Sequence, residues 1–101
     1  MNPQQMRKIQ QMQREIMKAQ EEVTNAEFTK SAGGVVEVTI KGTGELLKVI
    51  IDEEFTIESK EDTEMLSDMI VAAYNAAHDE LEKFTEQKLG KYQAMLGGSF
   101  F

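Results

Sequence analysis

The sequence predicts an α+β domain in which a long N-terminal helix, a three-stranded antiparallel sheet and a long C-terminal helix follow one another. Two observations predict this order: apolar and polar residues alternate between positions 36 and 51, and apolar residues recur at helical spacing on both sides. Alternation is typical of a strand with one buried face, whereas helical spacing lines up apolar residues along one side of a helix. A chain of 101 residues is expected to form a single domain, 1–101, with a modest core.

The first helix is predicted over residues 1–24. Pro3 suits its first turn, because the missing N–H of proline would be unpaired there in any case. Two apolar series recur every seven residues, offset by three: Ile9, Ile16, Val23 and Met12, Ala19, Ala26. Such a seam is typical of a helix that packs one face on its own core, and it also fits a helix that meets another chain.

The centre of the chain is predicted to be a sheet over residues 25–52. Val36, Val38 and Ile40 alternate with polar residues, and the alternation returns after Gly42-Thr43-Gly44. These glycines are expected to supply the positive φ angles that a short hairpin loop needs. A hairpin alone is marginally stable, so we assign residues 25–30 as a first strand, which makes the sheet three-stranded.

The second helix is predicted over residues 59–94, followed by a flexible tail at 95–101. Ser59 is its expected N-cap, with Asp62 three residues later. Apolar residues at helical spacing define one face: Leu66, Ile70, Ala73, Ala77, Leu81 and Phe84. Alanines make the middle of this helix narrow, so we expect another helix to approach closely there.

Both helices are expected to be longer than the sheet that joins them. The first helix spans about 30 Å and the second about 45 Å, against about 25 Å for a strand. Their free ends are therefore predicted to project in the same direction, side by side and antiparallel. Apolar residues continue into these ends, so we expect a second copy of the chain to cover them in a homodimer.

The charge distribution separates the chain ends from the middle. The net charge is −7, yet basic residues outnumber acidic ones within 1–18 and within 83–101. Basic side chains on protruding ends are candidates for contacts with DNA phosphates. The candidate residues are Arg7, Lys8, Arg14, Lys18, Lys83, Lys88 and Lys91. Solubilising surface charge would explain the same composition, but an acidic body that repels DNA favours binding at the ends.

No pattern typical of catalysis or of a metal site is present in the sequence. Cysteine is absent, His78 is the single histidine, and Gly42-Thr43-Gly44 lacks the third glycine of a dinucleotide-binding loop. We therefore expect no enzymatic activity, no metal and no cofactor. The polar N-terminus and the lack of a long apolar run lead us to expect a cytoplasmic protein without a membrane partner.

Taken together, several stretches resemble the YbaB/EbfC family of bacterial nucleoid-associated proteins. They are residues 33–40, 49–52 and 62–77, together with the Gln- and Met-rich opening 6–13 and the Gly- and Phe-containing tail. The resemblance covers nearly the whole chain. It implies a tweezer-like homodimer whose protruding helices bind double-stranded DNA with limited sequence preference, in the nucleoid, with roles in nucleoid organisation and gene regulation.

The resemblance carries over no catalytic residues, and the family implies a region of DNA contact without fixed residue identities. It also implies an alternative function. Family genes often lie beside those for a DNA polymerase III subunit and a recombination protein, so the alternative is an interaction module of the replication or recombination machinery.

Overall fold

The computed structural model describes residues 2–95, and its elements follow the predicted order. They are helix α1 (Pro3–Asn25), strands β1 (Glu27–Ala32), β2 (Val36–Lys41) and β3 (Leu46–Ile51), and helix α2 (Lys60–Met95). The predicted α+β fold is thereby confirmed. The prediction of a flexible tail concerns residues that, apart from Met95, lie outside those described.

Helix α1 begins with a reciprocal capping box. The side chain of Asn2 accepts a hydrogen bond of 2.8 Å from the backbone N–H of Gln5, whose own side chain accepts one from the Asn2 N–H at 3.4 Å. These bonds pair N–H groups that a helix N-terminus otherwise leaves without partners. At the other end the helix continues to Asn25, one residue beyond the prediction, so β1 begins at Glu27 rather than at residue 25.

The three strands form an antiparallel sheet in the order β1-β2-β3. Ile40 lies opposite Phe28 of β1, and a register shift between Thr39 and Ile40 places Leu46 of β3 opposite the same residue. The turn between β1 and β2 is formed by Gly33 and Gly34, whose φ angles of 61° and 70° suit a tight hairpin. The sheet thus keeps Val36, Val38 and Ile40 buried on one face.

Gly42 is required for a different reason from the one predicted. Its φ is not positive, unlike that of Gly44, which is 90°. Instead, the Gly42 backbone lies so close to α1 that a Cβ atom would overlap the carbonyl oxygen of Val23. The Gly42 N–H also donates to the carbonyl of Ala26 at 2.9 Å. This glycine therefore lets the hairpin pack against the end of α1.

Helix α2 crosses the buried face of the sheet along β1 and β2. At one end Met69 lies over Gly33, and at the other the rings of Phe84 and Phe28 meet edge to face with centroids 5.5 Å apart. Between these contacts Ala73 and Ala77 are fully buried. The narrow alanine face was predicted to receive another helix, but it lies on the strands, because small side chains allow equally close packing on a sheet.

Strand β3 is an edge strand of the sheet, and α2 packs along β1 and β2 rather than along it. Its residues Leu46, Leu47, Ile50 and Ile51 are each between 42% and 49% exposed, although all four are large and apolar. Consecutive residues of a strand point to opposite faces, so β3 presents apolar side chains on both sides. This arrangement leaves an apolar edge strand that residues 2–95 do not cover, and the predicted homodimer stays a prediction.

Candidate nucleic-acid interface

Helix α1 and residues 85–95 of α2 extend beyond the sheet and together form what we call the arm. The arm makes the protein elongated, with dimensions of 72 × 21 × 16 Å. The Tyr92 hydroxyl donates to the Glu15 carboxylate at 3.3 Å, and Lys88 Nζ lies 2.7 Å from Glu22 Oε2. Later residues of α2 thus meet earlier residues of α1, which confirms that the two free ends lie side by side and antiparallel.

A continuous basic face runs along the outer side of α1. Arg7, Arg14 and Lys18 are all exposed and are spaced by seven and four residues, so they lie on one side of the helix. That side is opposite the buried residues Ile16 and Val23. Within the described part of the chain none of these three cations is in an ion pair. They extend over about 16 Å of helix.

Two further candidate cations line a cleft between the helices of the arm. Lys8 comes from α1 and Lys91 from α2, and both are exposed. The Lys91 ammonium group lies 4.9 Å from the centroid of the Tyr92 ring, and both residues line the cleft. The cleft has a volume of about 420 Å³ and is completed by Gln11, Met12, Glu15 and Met95. Each helix therefore contributes one lysine to a partly apolar groove.

Lys88 differs from the other candidates because its ammonium group already forms an ion pair. Its ammonium group pairs with Glu22 and lies 5.5 Å from the centroid of the Phe84 ring. The hydrogen bond and charge of Lys88 lower the pKa of the Glu22 carboxyl, and the charge of Lys18 adds to this effect. The structure thus brings Lys88 to the base of the arm with its charge already compensated.

Lys83 lies apart from the other basic candidates. It shares a shallow surface depression with Asp79, Glu82 and Glu86, at the level where α2 leaves the sheet. Three carboxylates around one ammonium group make this part of the surface acidic. The geometry therefore separates the seven candidates into five exposed cations on the arm, one compensated lysine and one lysine among acids.

The sequence analysis did not single out Glu15 and Glu22, the acidic residues that join the two helices of the arm. Both contact α2 and are spaced by seven residues, like the apolar seam that they flank. Charged residues beside such a seam commonly pair with the facing helix. The seven-residue spacing could have indicated that Glu15 and Glu22 face another helix. It does not indicate which helix that is.

The side chains that could act in catalysis or metal binding are not arranged in a recognisable site among the described residues. His78 Nδ1 lies 3.3 Å from Glu82 Oε1, and the ring stacks on Tyr74 at a centroid distance of 6.1 Å. Among residues 2–95 there is no group of three His, Cys, Asp or Glu side chains arranged to hold a metal ion. No helix in the same range is long and apolar enough to cross a membrane.

The arm is an antiparallel pair of helices with exposed cations, and it projects from a small sheet that α2 also covers. These features define a class of elongated protein that presents positive charge away from its body. The family model of the YbaB/EbfC DNA-binding family matches residues 1–96. The chain therefore belongs to the YbaB/EbfC DNA-binding family, as its sequence resemblance predicted.

Individual relatives agree with this assignment. A nucleoid-associated protein of Corynebacterium kroppenstedtii is 37% identical over 93 residues, covering 91% of each chain. One of Streptomyces avermitilis is 40% identical and covers 92% of this chain and 81% of its own length. One of Agathobacter rectalis is 39% identical, with coverages of 95% and 84%.

A solved structure is also similar in fold. The crystal structure of an uncharacterized protein from Helicobacter pylori aligns with a TM-score of 0.59 at 25% sequence identity. The alignment covers 78% of this chain and 90% of that one.

Proposed function

We propose that this protein is a nucleoid-associated protein that binds double-stranded DNA as a homodimer, through the exposed cations of the arm. The observation that carries the proposal is the basic face of α1, formed by Arg7, Arg14 and Lys18, which make no ion pair within residues 2–95. The chain as a whole has a net charge of −7. Lys8 and Lys91 at the cleft add to it. This face spans about 16 Å along α1, and one DNA strand carries about five phosphates over the same length.

The acidic body supports binding at the arm. Exposed carboxylates follow β3 at Asp52, Glu53 and Glu54 and continue into the first turn of α2. DNA is repelled from such a surface, so attraction is confined to the arm. Contacts to phosphates carry no sequence information directly, which supports limited sequence preference and a role in nucleoid organisation and gene regulation.

The exposed edge strand supports the homodimer. A strand edge presents unpaired N–H and C=O groups, and β3 adds apolar side chains on both faces. A second copy of the chain that pairs along β3 would cover both. The dimer would present two arms and twice the number of arm cations, which raises the affinity for DNA without any new type of contact.

A second function is favoured by the exposed apolar side of α1. Met6, Ile9 and Met17 are 50%, 39% and 64% exposed, and they lie beside the basic face rather than on it. Such residues support a docking surface for another protein. In this alternative the chain is an interaction module for replication or recombination proteins.

DNA binding measured by fluorescence anisotropy at several salt concentrations tests the proposal. If four to six cations of a dimer contact phosphates, the logarithm of the association constant falls with the logarithm of salt at a slope of about −4 to −5. The variant Arg7→Gln with Lys8→Gln should bind more weakly on all DNA sequences, and its slope should be flatter.

The matched control removes two lysines from the sheet, Lys41→Gln with Lys48→Gln. Because the net charge changes equally, bulk charge affects both variants alike, and only position distinguishes them. An equal loss in both variants would exclude the arm as the binding site. Absence of salt-dependent binding by the unaltered protein would favour the interaction module.

A further inference from the structure

We infer that Glu22 limits the DNA affinity of the arm, because its carboxylate occupies Lys88 in place of a DNA phosphate. The inference rests on the proposed function and adds to it a residue that sets the strength of binding. It concerns the base of the arm, where α1 and α2 are joined by this ion pair, rather than the outer basic face.

The geometry keeps the Lys88 ammonium group directed at Glu22. The two charged atoms are 2.7 Å apart, and the ammonium group lies 5.5 Å from the centroid of the Phe84 ring, which is itself packed on Phe28. Both contacts favour the observed rotamer of Lys88. In that rotamer the hydrogen-bonding partner of the ammonium group is the Glu22 carboxylate.

The ion pair is accessible to an incoming ligand. The side chains of Lys88 and Glu22 are 39% and 40% exposed, so a phosphate can reach the ammonium group from solvent. A phosphate that approaches must either displace the Glu22 carboxylate or lie beside it. Displacement costs the existing hydrogen bond, and proximity of two anions is repulsive, so both routes reduce the gain from the contact.

Glu22 acts on a second cation as well. Lys18 belongs to the outer basic face and lies four residues before Glu22, so the two side chains are neighbours on α1. The charges of Lys88 and Lys18 both favour the ionised carboxylate. Glu22 thus compensates one arm cation by direct pairing and weakens the field of another.

The neighbouring acids of α1 do not share the direct pairing with Lys88, although Glu21, three residues after Lys18, is also a neighbour of Lys18 on the helix. Glu15 accepts its hydrogen bond from the hydroxyl of Tyr92, and among residues 2–95 it is in no ion pair. Glu21 is exposed, and within the described residues it is in no ion pair. Glu21 therefore provides a matched control: the same residue type, one position away, with the same effect on net charge.

The test compares Glu22→Gln with Glu21→Gln in anisotropy titrations of a fluorescent DNA duplex. Counterion release at 0.15 M salt makes each added phosphate contact worth about fivefold in affinity. Glu22→Gln is expected to bind about fivefold more tightly than the unaltered protein for each Lys88 that gains a phosphate, with a salt slope steeper by about 0.9. Glu21→Gln should change affinity less than about twofold and leave the slope unaltered.

Lys88→Gln provides the second comparison. In the unaltered background its effect on DNA binding should be small, because Lys88 is already compensated. In the Glu22→Gln background it should remove the whole gain in affinity. Equal affinities of Glu22→Gln and Glu21→Gln, or a gain that persists without Lys88, would overturn the inference while leaving the DNA binding of the unaltered protein intact. Loss of salt-dependent binding in the unaltered protein would overturn the proposed function itself.

Discussion

Gly42 packs directly against the carbonyl oxygen of Val23, where the last turn of α1 meets the loop between β2 and β3. No side chain fits between these two backbones. Gly42→Ala is therefore expected to push α1 away from the hairpin and to lower the free energy of unfolding by about 1–3 kcal/mol. Urea denaturation followed by circular dichroism measures this loss.

Gly90→Ala is the matched glycine control for this prediction. The atoms nearest to a Cβ atom at Gly90 belong to the carboxylate of Glu86, which is the movable end of a flexible side chain. The substitution should stabilise the protein by about 0.5–1 kcal/mol, because alanine is the better helix former. A Gly42→Ala variant as stable as the unaltered protein would show that the close contact is not required.

Ala77 tests the packing of α2 on the sheet. It is fully buried, whereas Ala72 on the same helix is exposed. Ala77→Leu should therefore overpack the interface between helix and strands and cost about 1–3 kcal/mol, measured by thermal or urea denaturation. Ala72→Leu should be close to neutral, since leucine and alanine have similar helix propensities. Equal stability of the two variants would contradict the observed burial.

Tyr92 tests how the arm is held together. Its ring is buried, and its hydroxyl group donates to Glu15. Tyr92→Phe should lose only this hydrogen bond, about 1 kcal/mol, while Tyr92→Ala should lose about 3–5 kcal/mol of packing. We expect the amide hydrogens of residues 85–95 to exchange faster in Tyr92→Ala than in the unaltered protein. An equal increase in exchange rate throughout the chain would argue against a local role of Tyr92.

Strand β3 tests the proposed dimer. Ile51→Glu places a charge on the apolar edge strand and should shift the protein from dimer to monomer in sedimentation experiments at micromolar concentration. Ile57→Glu introduces the same charge at a residue that is 56% exposed and lies outside the sheet, and it should leave the dimer intact. A stable, folded monomer of the unaltered protein would rule out the obligate dimer.

The Glu22 ion pair predicts a pH dependence of stability. Lys88 lowers the pKa of Glu22 below its ordinary value of 4.5, so the folded chain holds this proton less tightly than the unfolded chain. The pair therefore contributes its full stability above pH 4.5, and the contribution disappears as the pH falls through the lowered pKa. The difference in melting temperature between the unaltered protein and Glu22→Gln should narrow progressively below that value. A difference that stays constant with pH would indicate that the ion pair does not stabilise the fold.

Local sequence patterns predicted most of the fold. The alternation at Val36, Val38 and Ile40 depends only on the two-residue period of a strand, and it identified the buried face of the sheet. The seven-residue series on α1 likewise placed Ile16 and Val23 in the core. Boundaries were off by one or two residues at the junction of α1 and β1, because a frayed helix end and a strand start have similar local preferences.

The candidate site was predictable as a region, since the two basic chain ends lie at the free ends of two overhanging helices. The separation of the seven candidates into exposed, paired and acid-surrounded cations was not predictable. Lys83, Lys88 and Lys91 are the same residue type on the same helix. Lys83 nevertheless lies among carboxylates and Lys88 is paired with Glu22, whereas Lys91 is exposed at the cleft. Which acid faces which lysine depends on the rotation and offset of α2 against α1, and these are determined by packing between residues distant in sequence.

By itself, then, the sequence determined the order of helices and strands, the buried faces of α1, β2 and α2, and the excess of basic residues at the chain ends, because these follow from local periodicity and charge. Only the tertiary structure decided that the alanine face of α2 lies on strands, that Gly42 is needed for close approach, and that residues 2–95 leave β3 uncovered. Those outcomes depend on which surfaces meet, and a chain settles that by burying apolar area across long sequence separations.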